Sequence, residues 1–225
     1  MDVAVVTVGD ELLAGETENS NASWLGRRLT DRGATVRRML VVPDERPAIA
    51  DAIGRYADEF DAVIVTGGVG PTHDDVTLDG VADAFDRPME EHPAVAHWFD
   101  EHAEYTRQDL VSGTMDLPRG ASMIANDEGV APGAIVENVY VLPGVPTEMR
   151  AMFERVADQF EGTKLTTEVV HSDAPESSLI DVIEEVNERF AVRVGSYPND
   201  GVRIKLTAAD AEEVNRAAEW LRQRV

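Results

Sequence analysis

The sequence predicts an α/β fold of three layers, α/β/α, around a mostly parallel sheet, followed by a small C-terminal α+β subdomain. Three observations predict it. Residues 3–8 (VAVVTV), 35–42 and 62–66 are β-rich runs, and the first and third are almost wholly apolar, as strands buried on both faces require. The segments between them repeat apolar residues at helical spacing. The third run leads straight into a loop with three glycines, VTGGVGPTHDDVT (65–77), and then into another helical pattern. This β-α-β-α-β-loop-α order implies parallel strands joined by crossover helices.

The elements follow in order. Gly9-Asp10 ends the first strand. Asn19, Ser20 and Asn21 offer N-caps; Trp24, Leu25 and Leu29 share a helical face, and Gly33 fits the stop. Pro43-Asp44 turns the chain after the second strand, and Ile49, Ile53, Tyr56, Ala57 and Phe60 form the next apolar face. Thr77 is placed to cap a helix carrying Leu78, Val81, Ala82 and Phe85. Residues 93–109 read as an amphipathic helix with Val95, Trp98, Phe99 and His102 on one face, and residues 112–132 as a looser Gly/Pro-rich segment. Residues 134–136 and 139–142 read as strands around the tight turn Glu137-Asn138. Pro143-Gly144-Val145-Pro146 breaks the chain, and Thr147 is placed to cap a helix running to Phe160. The domain boundary falls between 162 and 163. Residues 163–225 then hold strands at 165–170, 192–196 and 202–207 and helices at 176–190 and 211–224.

Composition narrows the function classes. No run approaches the length of a membrane span, and the N-terminus lacks the basic region of a signal peptide. Without cysteine there is no disulfide framework, thiolate metal site or thiol nucleophile. A cytoplasmic protein is the expectation. The net charge of −23 repels nucleic acid and anionic membranes. The carboxylates are spread along the whole chain, which reads as adaptation to a cytosol with molar salt, where repulsion is screened over ~3 Å. The other reading of that charge is an acidic partner-binding surface.

The glycine loop carries the chemistry. It follows a parallel strand and opens a helix, where open α/β sheets bind ligands. Gly67, Gly68 and Gly70 let backbone N–H groups approach phosphate oxygens, and the helix N-terminus adds partial positive charge. Asp74 and Asp75 would repel a phosphate unless a divalent cation bridged them. No Gly-Lys-Ser/Thr follows, so the loop is not a Walker A loop, and its glycines do not follow the GxGxxG dinucleotide fingerprint either. Other polar clusters fall at other strand ends: Gly9-Asp10-Glu11 with Asn19 and Asn21, Asp44, residues 126–133 and residues 143–148. Taken singly, Asp10 and Asp44 are ordinary turn residues; together on one sheet edge they suggest a site. His92, His97 and His102 are five apart and do not stack as an i,i+4 metal pair, and His73 reads as a solvated loop residue. Arg203 and Lys205 alternate on a strand and read as surface ion-pair partners, with a neighbouring subunit as the other reading.

Four stretches, VGDELLAGETENSN (8–21), TGGVGPTHDDVT (66–77), NDEGVAPG (126–133) and LPGVPTEM (142–149), together resemble the CinA-type, competence/damage-inducible protein family. The N-terminal part of that family is similar to the molybdopterin-binding domain of the MoaB/Mog proteins. SYPNDGVRIKL (196–206) resembles the family's small second subdomain. The resemblance implies a nucleotide-sugar diphosphate site and metal-dependent hydrolysis of ADP-ribose to AMP and ribose 5-phosphate. The cofactor implied is a divalent ion, magnesium, manganese or cobalt, with potassium besides. Carried over by motif, Asp75, Asp44 and Asp10 are the catalytic candidates, and Asp74, Asp75 and Asp10 the metal candidates. Ligand binding falls to Gly67, Gly68, Gly70, Pro71, Thr72, Thr77, Glu11, Asn19, Asn21, Pro132, Gly133, Pro143 and Gly144. Two departures stand out: Val130 where the family has Thr in Gly-Thr-Ala-Pro-Gly, and Thr114-Met115 in place of a Gln-Ala pair. The full-length bacterial form adds a deamidase domain, which this sequence is expected to lack. The rival reading is a protein that binds or adenylylates molybdopterin; the third is a non-catalytic partner module. Related folds imply a homo-oligomer, a dimer or trimer.

Overall fold

The computed structural model describes residues 1–70, 72–102, 113–199 and 201–225, which divide into two units, Met1–Gly162 and Thr163–Val225. The first unit runs β1 (Asp2–Val8), α1 (Asp10–Leu13), α2 (Ser20–Asp31), β2 (Thr35–Val42), α3 (Arg46–Glu59), β3 (Ala62–Gly67), α4 (Thr77–Ala84), β4 (Met89–Glu91), α5 (Pro93–His102), β5 (Asp116–Pro118), β6 (Ser122–Ile124), β7 (Gly133–Val136), β8 (Val139–Pro143) and α6 (Pro146–Val156). Six strands form one sheet in the order β2-β1-β3-β8-β7-β6. β2, β1, β3 and β8 are parallel; at one edge β7 runs antiparallel to β8, and β6 antiparallel to β7.

Alternation along β1 explains the three layers. Val3 and Val5 pack with Leu25 and Leu29 of α2 and Met149, Met152 and Phe153 of α6. Ala4, Val6 and Val8 pack on the opposite face with Ile49, Ile53 and Tyr56 of α3 and Leu78 and Val81 of α4. Both faces are covered, so the strand needs no polar side. Phe153, fully buried, meets Trp24 edge-on at 5.5 Å and stacks on Phe160 at 5.5 Å.

Local chemistry fixes the ends. Asn19 Oδ1 accepts the Ala22 N–H at 3.1 Å and caps α2, which stops at Gly33 (φ 86°). Two expected caps are corrected. Thr77 is the first residue of α4, after Val76, and its hydroxyl turns inward rather than capping. Pro146, not Thr147, sets the start of α6, because proline is pre-organised for the first turn and holds Val145 extended (ψ 119°). α6 ends at Val156 and a 3-10 turn, Ala157–Gln159, carries the chain to Phe160. β5 and β6 lie inside the segment expected to be loop; three-residue strands hold too little alternation to be read. The helix expected over 93–109 is described to His102, and the remainder lies outside the described residues.

The second unit is a three-stranded antiparallel sheet of β9 (Thr166–Ser172), β10 (Arg193–Asn199) and β11 (Gly201–Ala208), in the order β10-β11-β9. α7 (Ile180–Arg189) and α8 (Ala211–Arg222) supply Val186, Val214, Ala218 and Leu221 to a core with Val170, Ile204 and Leu206. The helix expected over 176–190 is broken at Leu179 into a 3-10 turn and α7. At the end of the first unit the Gly162 N–H donates to Arg32 O at 3.1 Å, and a Cβ on Gly162 would collide with Gly33 O. No described helix is long and apolar enough to cross a membrane.

Candidate functional site

β1, β3 and β8 are neighbours in register, with Thr7 beside Thr66, Thr66 beside Leu142 and Gly67 beside Pro143. Their carboxyl ends therefore bring three loops together at one sheet edge. A cleft of about 110 Å³ opens there, lined among others by Thr7, Glu11, Asn19, Asn21, Thr66 and Gly144. Its polar groups are organised. Asn19 Nδ2 donates to Thr7 Oγ1 at 2.8 Å, and Asn21 Nδ2 to Gly144 O at 2.7 Å. Asn21 is buried, and its Oδ1 has no partner among the described residues. A desolvated acceptor left unpaired costs roughly 1–3 kcal/mol, which a ligand donor recovers. The Thr77 hydroxyl, packed on Gly67, is a second buried group without a partner among the described residues.

The glycine loop is closed by its own aspartate. Asp75 Oδ2 accepts the Thr72 N–H at 3.3 Å and the Thr72 hydroxyl, while the Asp75 N–H donates to Thr72 O at 3.0 Å. The carboxylate lies against the backbone of Gly68 and Gly70: a Cβ on Gly70 would be 2.7 Å from Oδ2, and one on Gly68 would collide with Oδ1. Any side chain at 68 would expel the group that shapes the loop. Pro71 lies outside the described residues.

The other acids form a separate group. Asp44 Oδ2 accepts the Asp10 N–H at 2.9 Å. Burial pushes the Asp44 carboxyl up; the Asp10 N–H opposes this, and the like charges of Asp10, Glu11 and Asp74 add to the rise. Asp74 is held low by its own backbone N–H. Thus Asp10, Glu11, Asp44 and Asp74 share one field, and Asp75 faces into the loop. No three His, Asp or Glu side chains among the described residues are gathered so as to hold a metal ion.

The burial of Asp44 among like charges has a measurable sign. A raised native pKa means the folded protein binds the Asp44 proton more tightly than the unfolded chain, so stability falls as pH rises through that pKa. Asp44→Asn keeps an acceptor for the Asp10 N–H and removes the charge. At pH 7 in low salt its Tm is expected above the parent's. The gap closes on acidification through the Asp44 pKa and narrows in molar KCl, which screens the like charges but not the burial. A lower Tm at pH 7 would contradict the arrangement.

Not every expected ligand residue reaches the cleft. Pro143 closes β8, and Gly144 lines the cleft. Gly133 opens β7 and packs against Val141 O and Met152. Pro132 is buried beside it. Both belong to the packing of the antiparallel edge. Their loop is held by buried Asn126, which donates to Ala131 O at 2.9 Å and Glu148 Oε2 at 2.6 Å. Sequence reasoning missed Thr7 and Thr66. The available signal was a buried hydroxyl near the end of each of two apolar strands, VAVVTV and AVIVTG.

Residues 4–161 match a family described as "Probable molybdopterin binding domain", and residues 164–225 one described as "FAD synthase, middle domain". A protein from Archaeoglobus fulgidus is 36% identical over 219 residues, covering 96% of this chain and 95% of that one. A CinA-like protein from Parasynechococcus marenigrum is 33% identical over 234 residues, covering 96% of this chain and 55% of the relative. The crystal structure of CinA from Thermoplasma acidophilum is similar with a TM-score of 0.65 and 32% identity, over 71% of this chain and 97% of that one.

Proposed function

The chain belongs to the molybdopterin-binding-domain family, with CinA-type proteins among its relatives, and from that premise we propose that residues 1–162 bind a phosphorylated pterin of the molybdopterin class. The family supports the ligand class. The observation that carries the place is the buried Asn21 Oδ1, without a partner among the described residues, in a polar cleft at the carboxyl edge of the sheet. A pterin ring offers N–H donors to such an acceptor, and a phosphate suits backbone N–H groups of the glycine loop. Thr7 and Asn19 hold the cleft wall rigid through their mutual hydrogen bond.

The test is co-elution of pterin fluorescence with the protein after incubation with molybdopterin. Asn21→Ala is expected to weaken binding on the order of tenfold, the cost of one buried hydrogen bond. Equal affinity in that variant would remove Asn21 from the site. Hydrolysis of ADP-ribose is the second reading; it needs a divalent cation to offset the like charges of Asp10, Glu11, Asp44 and Asp74. Offered with magnesium, manganese or cobalt, release of AMP that is lost in Asp44→Asn would replace binding with catalysis.

A further inference from the structure

The second unit carries a face that the proposed pterin site does not use. Side chains of the β10-β11-β9 sheet alternate between two sides. Val170, Ile204 and Leu206 turn inward to the core. The other side presents Tyr197, Arg203 and His171 in one cross-strand row, Gly195, Lys205 and Val169 in the next, and Arg193, Thr207 and Thr167 in the third. The chain has 43 acidic against 20 basic residues, yet no residue of these three rows is acidic. The surface ion pairs expected for Arg203 and Lys205 are not found: neither has a carboxylate partner among the described residues.

The same face holds an aromatic platform. The Tyr197 ring lies over Gly195, where a Cβ would sit 2.9 Å from the ring Cε2 and hydroxyl. The missing side chain lets the ring lie along the sheet instead of standing off it. Tyr197 stays 47% exposed, with the Arg203 guanidinium 5.4 Å from the ring centroid. A cleft of about 350 Å³ opens beside it, lined by His171, Tyr197, Pro198, Asn199, Gly201 and Arg203.

We propose that this face binds a small phosphorylated aromatic molecule, a purine nucleotide, with the base stacked on Tyr197 and the phosphate held by Arg203 and Lys205. An arginine fork with no carboxylate partner among the described residues matches phosphate geometry, and a base stacks on the Tyr197 ring once the Arg203 guanidinium swings from over the ring to the phosphate. The cleft has the volume of a small-molecule site. A longer nucleic acid is disfavoured: phosphates beyond the three strands would run into the field of a chain with net charge −23.

The experiment is isothermal titration of the full chain with AMP, with adenosine and inorganic phosphate titrated separately. Arg203→Glu is expected to abolish one class of AMP sites, and Tyr197→Ala to weaken it on the order of tenfold. Lys164→Glu makes the same kind of charge reversal outside the face and is expected to leave the affinity unchanged. Adenosine and phosphate alone each bind more weakly than AMP. AMP binding unchanged in both Arg203→Glu and Tyr197→Ala would overturn the proposal. So would an oligonucleotide that binds far more tightly than AMP at this face. Absence of AMP binding, with Arg203→Glu dissociating a dimer seen by light scattering, would give the face to a second copy of the chain.

Discussion

Gly68→Ala is expected to abolish pterin binding, a loss of a hundredfold or more, while costing the fold only about 1–3 kcal/mol. The new methyl group would occupy the position of the Asp75 carboxylate. Expelling that group frees the Thr72 N–H and hydroxyl and unravels the closure of the loop. The damage is confined, because Gly68 lies beyond the end of β3 and the sheet does not depend on it. Urea unfolding and pterin titration on one preparation separate the two effects. A variant that binds like the parent would show that the loop takes no part in recognition. Asp75→Asn is the milder companion: an acceptor for the Thr72 N–H remains, so a binding loss there reports charge rather than shape.

Phe153→Ala is expected to cost about 3–5 kcal/mol in urea unfolding of the first unit. The ring is fully buried between Trp24 of α2 and Phe160. The same two helices carry the walls of the cleft: Asn21 in α2 hydrogen-bonds Gly144 just before α6. The ligand affinity should therefore fall together with stability, and saturating ligand should restore part of the lost Tm. A loss below about 1 kcal/mol would mean that the layer relaxes into the space.

Much of the fold was legible because parallel strands buried on both faces leave uninterrupted apolar runs. Residues 3–8 and 62–66 could hardly be anything else, and Gly33 marked its helix end correctly. The failures have physical causes. Thr77 and Thr147 look like caps by residue type, but a proline and an inward hydroxyl decided both ends. β4, β5 and β6 are three residues long, so their pairing comes from tertiary context rather than from alternation. At the site, the glycine loop and the Asn19 and Asn21 positions could be read from the sequence. The role of Asp75 could not, because whether a carboxylate faces solvent or its own loop depends on the backbone path. Nor could the packing of Gly133 on Val141 O and Met152 be foreseen: a glycine approached closely by a neighbouring strand looks the same in sequence as one approached by a phosphate.

The backbone clamp at Gly162 makes the last residue of the first unit intolerant of a side chain. Its N–H closes on Arg32 O, and a Cβ there would strike Gly33 O. Position 162 is a keyhole cut to the bare backbone: what passes through it must be glycine.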